Sequence, residues 1–279
     1  MLANIDPEKI ADLLRECART LILPRHNKLA KHEIDTKSGP TDLVTIADRE
    51  SEEFLKKQIE SLYSGSVVIG EESVATDPAC IDILNDQDKI VWVVDPVDGT
   101  SNFVAGNSTF AVMVACVFNG ETQFGWIYDP LGNRMMIATK DKGVTINGQP
   151  VYTAAPKPLN EAIGHALPKY FPSLMRPSLE NLKANVKDLY SMNCSGHEYL
   201  SIVSGRTDFM ICKNTKPWDH LAGVLAVREA GGQANRWDGS VFDAVAATGG
   251  LVISANPRIY QDLMATVVPD LYSELKPSV

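Results

Sequence analysis

Nine consecutive residues constrain this chain more than any others: Trp92-Val93-Val94-Asp95-Pro96-Val97-Asp98-Gly99-Thr100. A run of strand-forming residues ends in two carboxylates three positions apart, around a proline and before a glycine. The proline and glycine predict a sharp turn at the strand end. Such a turn can aim both carboxylates, and the Val97 carbonyl, at one point. Hard oxygen donors grouped this way suit magnesium, which keeps several of its waters. Gly99 would also let backbone N–H groups come close to a bound anion. Taken alone, the segment reads equally as a surface turn with capping acids, since Asp and Pro are common turn residues.

Three other segments set acids beside predicted elements. Gly70-Glu71-Glu72-Ser73 follows the apolar run Val67-Val68-Ile69, and by itself reads as a solvated loop. Asp42-Leu43-Val44-Thr45-Ile46-Ala47-Asp48 places Thr45 and Asp48 one helical turn apart, by itself a capping pattern. Trp218-Asp219-His220-Leu221-Ala222-Gly223 opens an apolar helix, with Asp219 as an N-cap if nothing more.

Around these segments the pattern changes from one half of the chain to the other. Asp6-Pro7 predicts a helix start, and Ile10, Leu13, Leu14, Cys17, Ala18 and Leu21 recur at helical spacing until Pro24. Residues 25–40 read as a loop or hairpin, and Val44 to Leu62 as a second amphipathic helix. Short strands follow at 67–69, 90–94, 110–118, 124–128, 135–138 and 144–146. Asn119-Gly120 and Asn147-Gly148 mark turns between them. The first half is thus two helices on a largely antiparallel sheet. The second half alternates: strands at 161–166, 187–192 and 251–254, with helices at 199–204, 220–230 and 257–267, which predicts an α/β layer. The Pro-rich stretch Ala155 to Pro158 divides a metal-binding half, 1–155, from a half completing the site, 156–279. Trp92, Trp126 and Trp218 are expected in the core.

Composition narrows the function classes. With 279 residues the chain can bury a full core. A formal net charge of -9 argues against a non-specific nucleic-acid binder, yet allows phosphate substrates where metal ions supply local positive charge. The five cysteines are widely spaced with no C-x-x-C, so reduced thiols in the cytoplasm are expected rather than disulfides or a zinc ribbon. The N-terminus is neither signal peptide nor anchor, and no apolar run has membrane-spanning length. The histidines form no H-E-x-x-H. His197 and His220 fall near the expected site, where packing or helix-end roles suit them better than magnesium ligation.

Together, D-L-V-T-x-x-D at 42–48, G-E-E-S at 70–73, W-V-V-D-P-V-D-G-T-S-N-F at 92–103 and W-D-x-x-A-G at 218–223 resemble, in order, the signature set of the inositol monophosphatase family. This family belongs to the lithium-sensitive, magnesium-dependent phosphatases. The resemblance covers nearly the whole chain. It implies an α/β (α+β) fold, a layered αβαβα sandwich of the inositol monophosphatase or sugar phosphatase type. It further implies a first magnesium on Glu71, Asp95 and the Val97 carbonyl, a second on Asp95, Asp98 and Asp219, and a third, weaker one near Glu71. Asp48 and Thr100 match the pair that orients the attacking water, so Asp48, Glu71 and Thr100 form the implied catalytic set. The Gly99 and Thr100 amides match phosphate contacts, beside Asp98 and Asp219. Lys37 matches a mobile-loop lysine.

Inositol-specific relatives tend to carry a hydroxyl-binding acid seven residues before the final aspartate. Cys212 stands there, which puts inositol phosphate itself in question. Ser195, His197 and Lys213 are candidate substrate contacts, with packing or solvent exposure as the alternative. The implied activity is magnesium-dependent hydrolysis of a small phosphate monoester, inositol-1-monophosphatase-like. Histidinol-phosphatase or fructose-1,6-bisphosphatase-like activity remains open, and a nucleotide 3'-phosphatase is less favoured because those enzymes tend to be longer. A homodimer is expected. A regulatory partner of a transcription or RNA-processing complex is the reading from another class. The intact acid set favours the enzyme.

Overall fold

Asp6 starts the first helix as its sequence predicts, its carboxylate accepting the Glu8 N–H at 3.0 Å. The computed structural model describes residues 2–37, 39, 42–166, 168, 171, 173–244 and 249–266. Helix α1 (Pro7–Cys17) leads to a small antiparallel hairpin, β1 (Ile34–Thr36) with β2 (Leu43–Thr45). Val44, expected in a helix, lies in that hairpin, because Thr45 is the cap from which α2 (Ile46–Leu62) begins.

The central sheet then forms from β3 (Val67–Gly70), β4 (Ile90–Asp98), β5 (Ala111–Phe118), β6 (Glu121–Asp129), β7 (Arg134–Thr139), β8 (Gly143–Ile146) and β9 (Gln149–Pro150), in that spatial order. Only β3 and β4 pair in parallel; the other neighbours are antiparallel. Two short helices interrupt it, α3 (Glu71–Thr76) and α4 (Thr100–Val104). Asn119-Gly120 and Asn147-Gly148 turn the sheet with φ of 54° and 73°, and 50° and 76°, the left-handed pair of a tight hairpin.

The remaining chain builds a second sheet of five strands. Its elements are β10 (Ile163–His165), α5 (Arg176–Asn185), β11 (Asp188–Tyr190), α6 (Ser195–Val203), β12 (Phe209–Cys212), α7 (Pro217–Glu229), β13 (Gln233–Arg236), β14 (Leu251–Ser254) and α8 (Pro257–Thr266). The spatial order is β11-β10-β12-β14-β13, parallel on the β11 side and antiparallel on the other.

Strand alternation sorts the apolar residues into layers. In β4, Ile90, Trp92 and Val94 pack with α1 and α2, while Val91 and Val93 face the opposite way, toward α6 and α7. In β12 and β14, Met210, Leu251 and Ile253 face those same helices, while Phe209, Ile211 and Val252 pack with Leu179 of α5 and Ile259 of α8. The result is the αβαβα sandwich: α1 and α2, the large sheet, α6 and α7, the small sheet, then α5 and α8. Each fully buried Leu or Ile here contributes ~1.5–3 kcal/mol of burial before entropy is charged against it.

The middle layer explains the sequence of α7. Lying between two sheets, it buries residues all round, including Trp218, Leu221, Ala222, Val224, Leu225 and Val227. Gly125 on β6 lets it approach, since a Cβ there would sit 2.9 Å from the Ala222 Cα and carbonyl oxygen.

Several boundaries differ from the expectation. Glu71 to Thr76 is a helix rather than a loop, too short to show a period. Helix α6 begins at Ser195 rather than Tyr199. Helix α5 and strand β13 were not expected. The helix expected at 257–267 runs to Thr266, and residue 267 lies outside the described residues. All five cysteines are free. No helix among the described residues is long and apolar enough to cross a membrane.

Candidate active site

The D-P-V-D segment works by a bulge, not by the expected turn. In a regular strand, residues three apart point to opposite faces. Here Asp95 pairs with Met113 and Asp98 with Ala111, so β4 holds one residue more than β5 across this stretch. That bulge puts both carboxylates on the face toward α6 and α7. Gly99 then closes the strand with φ 86°, a left-handed conformation natural to glycine, and α4 starts at Thr100.

Asp219 arrives from the other side. It is the third residue of α7, not the expected N-cap; Lys216 holds that position and Pro217 occupies the first turn. Ligand oxygens of Asp95, Asp98 and Asp219 all lie within 4.8 Å of one another. Asp95 and Asp98 are buried. Burial first, and then the neighbouring carboxylates, push the Asp95 and Asp219 acids well above their ordinary range. Asp98 is also raised by burial, against hydrogen bonds that favour its charged form. Those bonds come from the start of α6: Gly196 N–H at 2.6 Å, Ser195 N–H at 3.2 Å and the Cys194 thiol at 3.0 Å. Three carboxylates this close, all oxygen donors on one cavity wall, fit a hard divalent cation, which would hold all three ionised.

Glu71 lines the same cavity from α3 but lies outside that tight group of three. Lys37 Nζ sits 3.1 Å from Glu71 and also donates to Glu72, and Lys216 Nζ is 3.6 Å from Glu71. Burial alone would lower the Lys37 pKa; the two glutamates outweigh it and raise it. Lys216 carried no signal in the sequence beyond its place before Pro217, and was not anticipated at the site.

Helix α2 brings Asp48. Its Oδ2 accepts from the Thr45 N–H at 2.8 Å and from the Thr45 hydroxyl, closing a capping box. Its Oδ1 lies 3.2 Å from the Thr100 hydroxyl, which is also 3.1 Å from the Val97 carbonyl oxygen. Burial pushes the Asp48 pKa up to about 6, against the bonds from Thr45. Asp48 thus divides its oxygens: one caps α2 and the other meets Thr100.

A cavity of about 480 Å³ is lined by Glu71, Asp95, Asp98, Thr100, Lys216 and Asp219, and also by Gly99, Ser195, Cys212, Lys213 and Asn214, with Asp48 behind Thr100. Ser195 lies in its wall with its N–H spent on Asp98. His220 also lines the cavity and His197 does not, and the ring nitrogens of both are engaged by protein groups. His197 donates from Nε2 to the Phe110 carbonyl at 3.1 Å. His220 donates from Nε2 to the Asn214 carbonyl and accepts the Tyr199 hydroxyl at Nδ1, each at 2.9 Å. Glu198 escaped the sequence reading. Buried beneath the cavity, it accepts from the Ser191 hydroxyl and the Met192 N–H and so orders the wall at 191–193.

A five-layer αβαβα protein with a carboxylate-walled cavity between its two sheets is the class that this fold and site define. The Inositol monophosphatase family model matches residues 7–272, and the chain belongs to that family of phosphatases. It is 28% identical to the inositol-1-monophosphatase of Bacillus subtilis over 253 residues, 90% of this chain and 91% of that protein. It is 32% identical to the Nus factor SuhB of Pasteurella multocida over 248 residues, 86% of this chain and 88% of that one. Among solved structures, a Thermotoga maritima IMPase superposes with a TM-score of 0.80 at 24% identity, over 96% of this chain and 98% of the other, a likeness of fold.

Proposed function

We propose that the protein is a magnesium-dependent phosphatase that hydrolyses the phosphate monoester of a small polyol-like metabolite. The clustering of Asp95, Asp98 and Asp219 on one cavity wall, with Thr100 and Asp48 beside it, carries this reading. Glu71, Asp95, the Val97 carbonyl, Asp98 and Asp219 would hold two to three magnesium ions. Bound there, magnesium supplies charge neutralisation for the ester dianion and polarises the reacting oxygens.

The chain's own groups do the rest. Thr100 donates a hydrogen bond to Asp48 or to Val97, and its oxygen can accept one from water. Asp48, raised to about 6, is a better proton acceptor near neutral pH than an ordinary carboxylate. Gly99 and Thr100 line the cavity, and their amides would donate to the phosphate oxygens.

Ser195, Cys212, Lys213 and Asn214 line the side left for the alcohol. Cys212 offers no carboxylate to accept sugar hydroxyls. Lys213 has no ion pair or hydrogen bond to any described residue. Both suit a polyol-like leaving group that carries a negative charge of its own, as a bisphosphate does. Five free thiols support a reducing, cytoplasmic setting, and a homodimer is the assembly we expect. A second, regulatory reading draws on the 32% identity to the Nus factor SuhB, and it can coexist with catalysis.

Phosphate release from inositol 1-phosphate, histidinol phosphate, fructose 1,6-bisphosphate, glycerol 2-phosphate and adenosine 3',5'-bisphosphate, with magnesium and with EDTA, tests the proposal. Magnesium-dependent release from one or two of them is expected. Release from none, with magnesium bound, would shift the assignment to the regulatory reading or to a substrate outside this panel.

A further inference from the structure

Helix α2 carries a second buried acid one turn after Asp48. Glu52 is 6% exposed, and each of its oxygens accepts a backbone N–H at 2.8 Å, Oε2 from Glu72 and Oε1 from Ser73. These are the second and third residues of α3, whose first residue is Glu71. Gly70, the residue at the N-cap, has no side chain to cap with, so a carboxylate from another helix does the capping. Gly70 is also the reason the carboxylate fits: a Cβ there would lie 2.3 Å from the Glu52 Cδ and Oε2. The glycine of G-E-E-S thus has a physical task, to admit Glu52.

Asp48 and Glu52 stand at i and i+4, on one face of α2. One rigid helix therefore touches both sides of the site, Thr100 through Asp48 and α3 through Glu52. We infer that Glu52 is a positioning residue: it fixes the start of α3, and with it Glu71, against the carboxylates of β4 and α7. This rests on the reading of Glu71 as a cation ligand. Groups that orient metal ligands typically change metal affinity by ~10–100-fold when removed, whereas a plain helix cap changes only stability.

The test measures magnesium binding by titration calorimetry on the full chain, stripped with EDTA and dialysed, alongside its thermal unfolding. Glu52→Gln keeps the volume but presents an amide N–H₂ to a backbone N–H. It is expected to weaken magnesium binding about tenfold or more, and to raise the magnesium needed for half-maximal phosphate release by a similar factor. Glu52→Asp keeps the charge with a shorter reach and is expected to recover part of that loss; if Glu52→Gln does not fold, Glu52→Asp against the parent protein decides. Gly70→Ala, which crowds the same carboxylate, is expected to weaken binding too. A lower unfolding temperature with magnesium affinity within about twofold of the parent would overturn the inference and leave Glu52 a structural cap. Calorimetry needs no turnover, so failure of the phosphatase reading, with magnesium bound and no ester cleaved, is a separate result.

Discussion

Removing the Thr100 hydroxyl probes the proposed water-orienting pair with little disturbance of anything else. Thr100→Val keeps the shape of the side chain and deletes the oxygen that lies 3.2 Å from Asp48 and 3.1 Å from the Val97 carbonyl. Asp48 keeps both bonds from Thr45, so its carboxylate stays in place. One net hydrogen bond is lost, about 1 kcal/mol of stability. The loss in rate should be far larger. Positioned proton transfer contributes ~10²–10⁴-fold, equivalent to ~3–5 kcal/mol of barrier at about 1.4 kcal/mol per decade. The assay is initial-rate phosphate release at saturating magnesium, with urea unfolding on the same samples. The expected result is kcat lower by about 100-fold or more, KM within about threefold, and most of the rate restored in Thr100→Ser. A kcat within about threefold of the parent in Thr100→Val would refute the Thr100–Asp48 assignment.

Other perturbations reach the surrounding structure. Burial lowers the His165 pKa from 6.5 to about 4, so its stabilising contribution is complete above pH 6.5 and is lost as pH falls toward 4. That is up to about 3 kcal/mol, and urea unfolding of His165→Asn should show a correspondingly shallower loss of stability between pH 7 and pH 4. Gly223→Ala would place a Cβ 2.2 Å from the ring of Tyr199, whose hydroxyl is tied to His220. Overpacking there should cost about 1–3 kcal/mol, and an unchanged urea midpoint would contradict the tight α6–α7 contact. Lys213→Gln should raise KM about tenfold for an ester with a second negative group and leave a neutral-polyol ester unaffected; equal effects on both would remove Lys213 from substrate selection.

Much of this was legible in the sequence wherever local chemistry decides the backbone. Asn119-Gly120 and Asn147-Gly148 could be read because a tight hairpin needs positive φ, and Asp6-Pro7 because capping is local. The apolar run from Trp218 could be read as a helix, though not that it lies between two sheets. Legibility failed where neighbours distant in sequence decide. Glu71-Glu72 reads as a solvated pair until Lys37 arrives from the β1–β2 hairpin and Glu52 from α2. The D-P-V-D segment reads as a turn because the extra residue shows only against the register of β5. Glu198 gave no signal, since its partners at 191 and 192 are irregular backbone.

The most direct measurement compares the parent protein with Asp98→Asn, titrating magnesium by calorimetry and following phosphate release on the same preparations. The carboxylate cluster predicts that the parent binds magnesium and cleaves a panel ester. The variant should fold normally, bind the ion much more weakly and lose turnover. Near-parental, magnesium-dependent turnover in Asp98→Asn would contradict it.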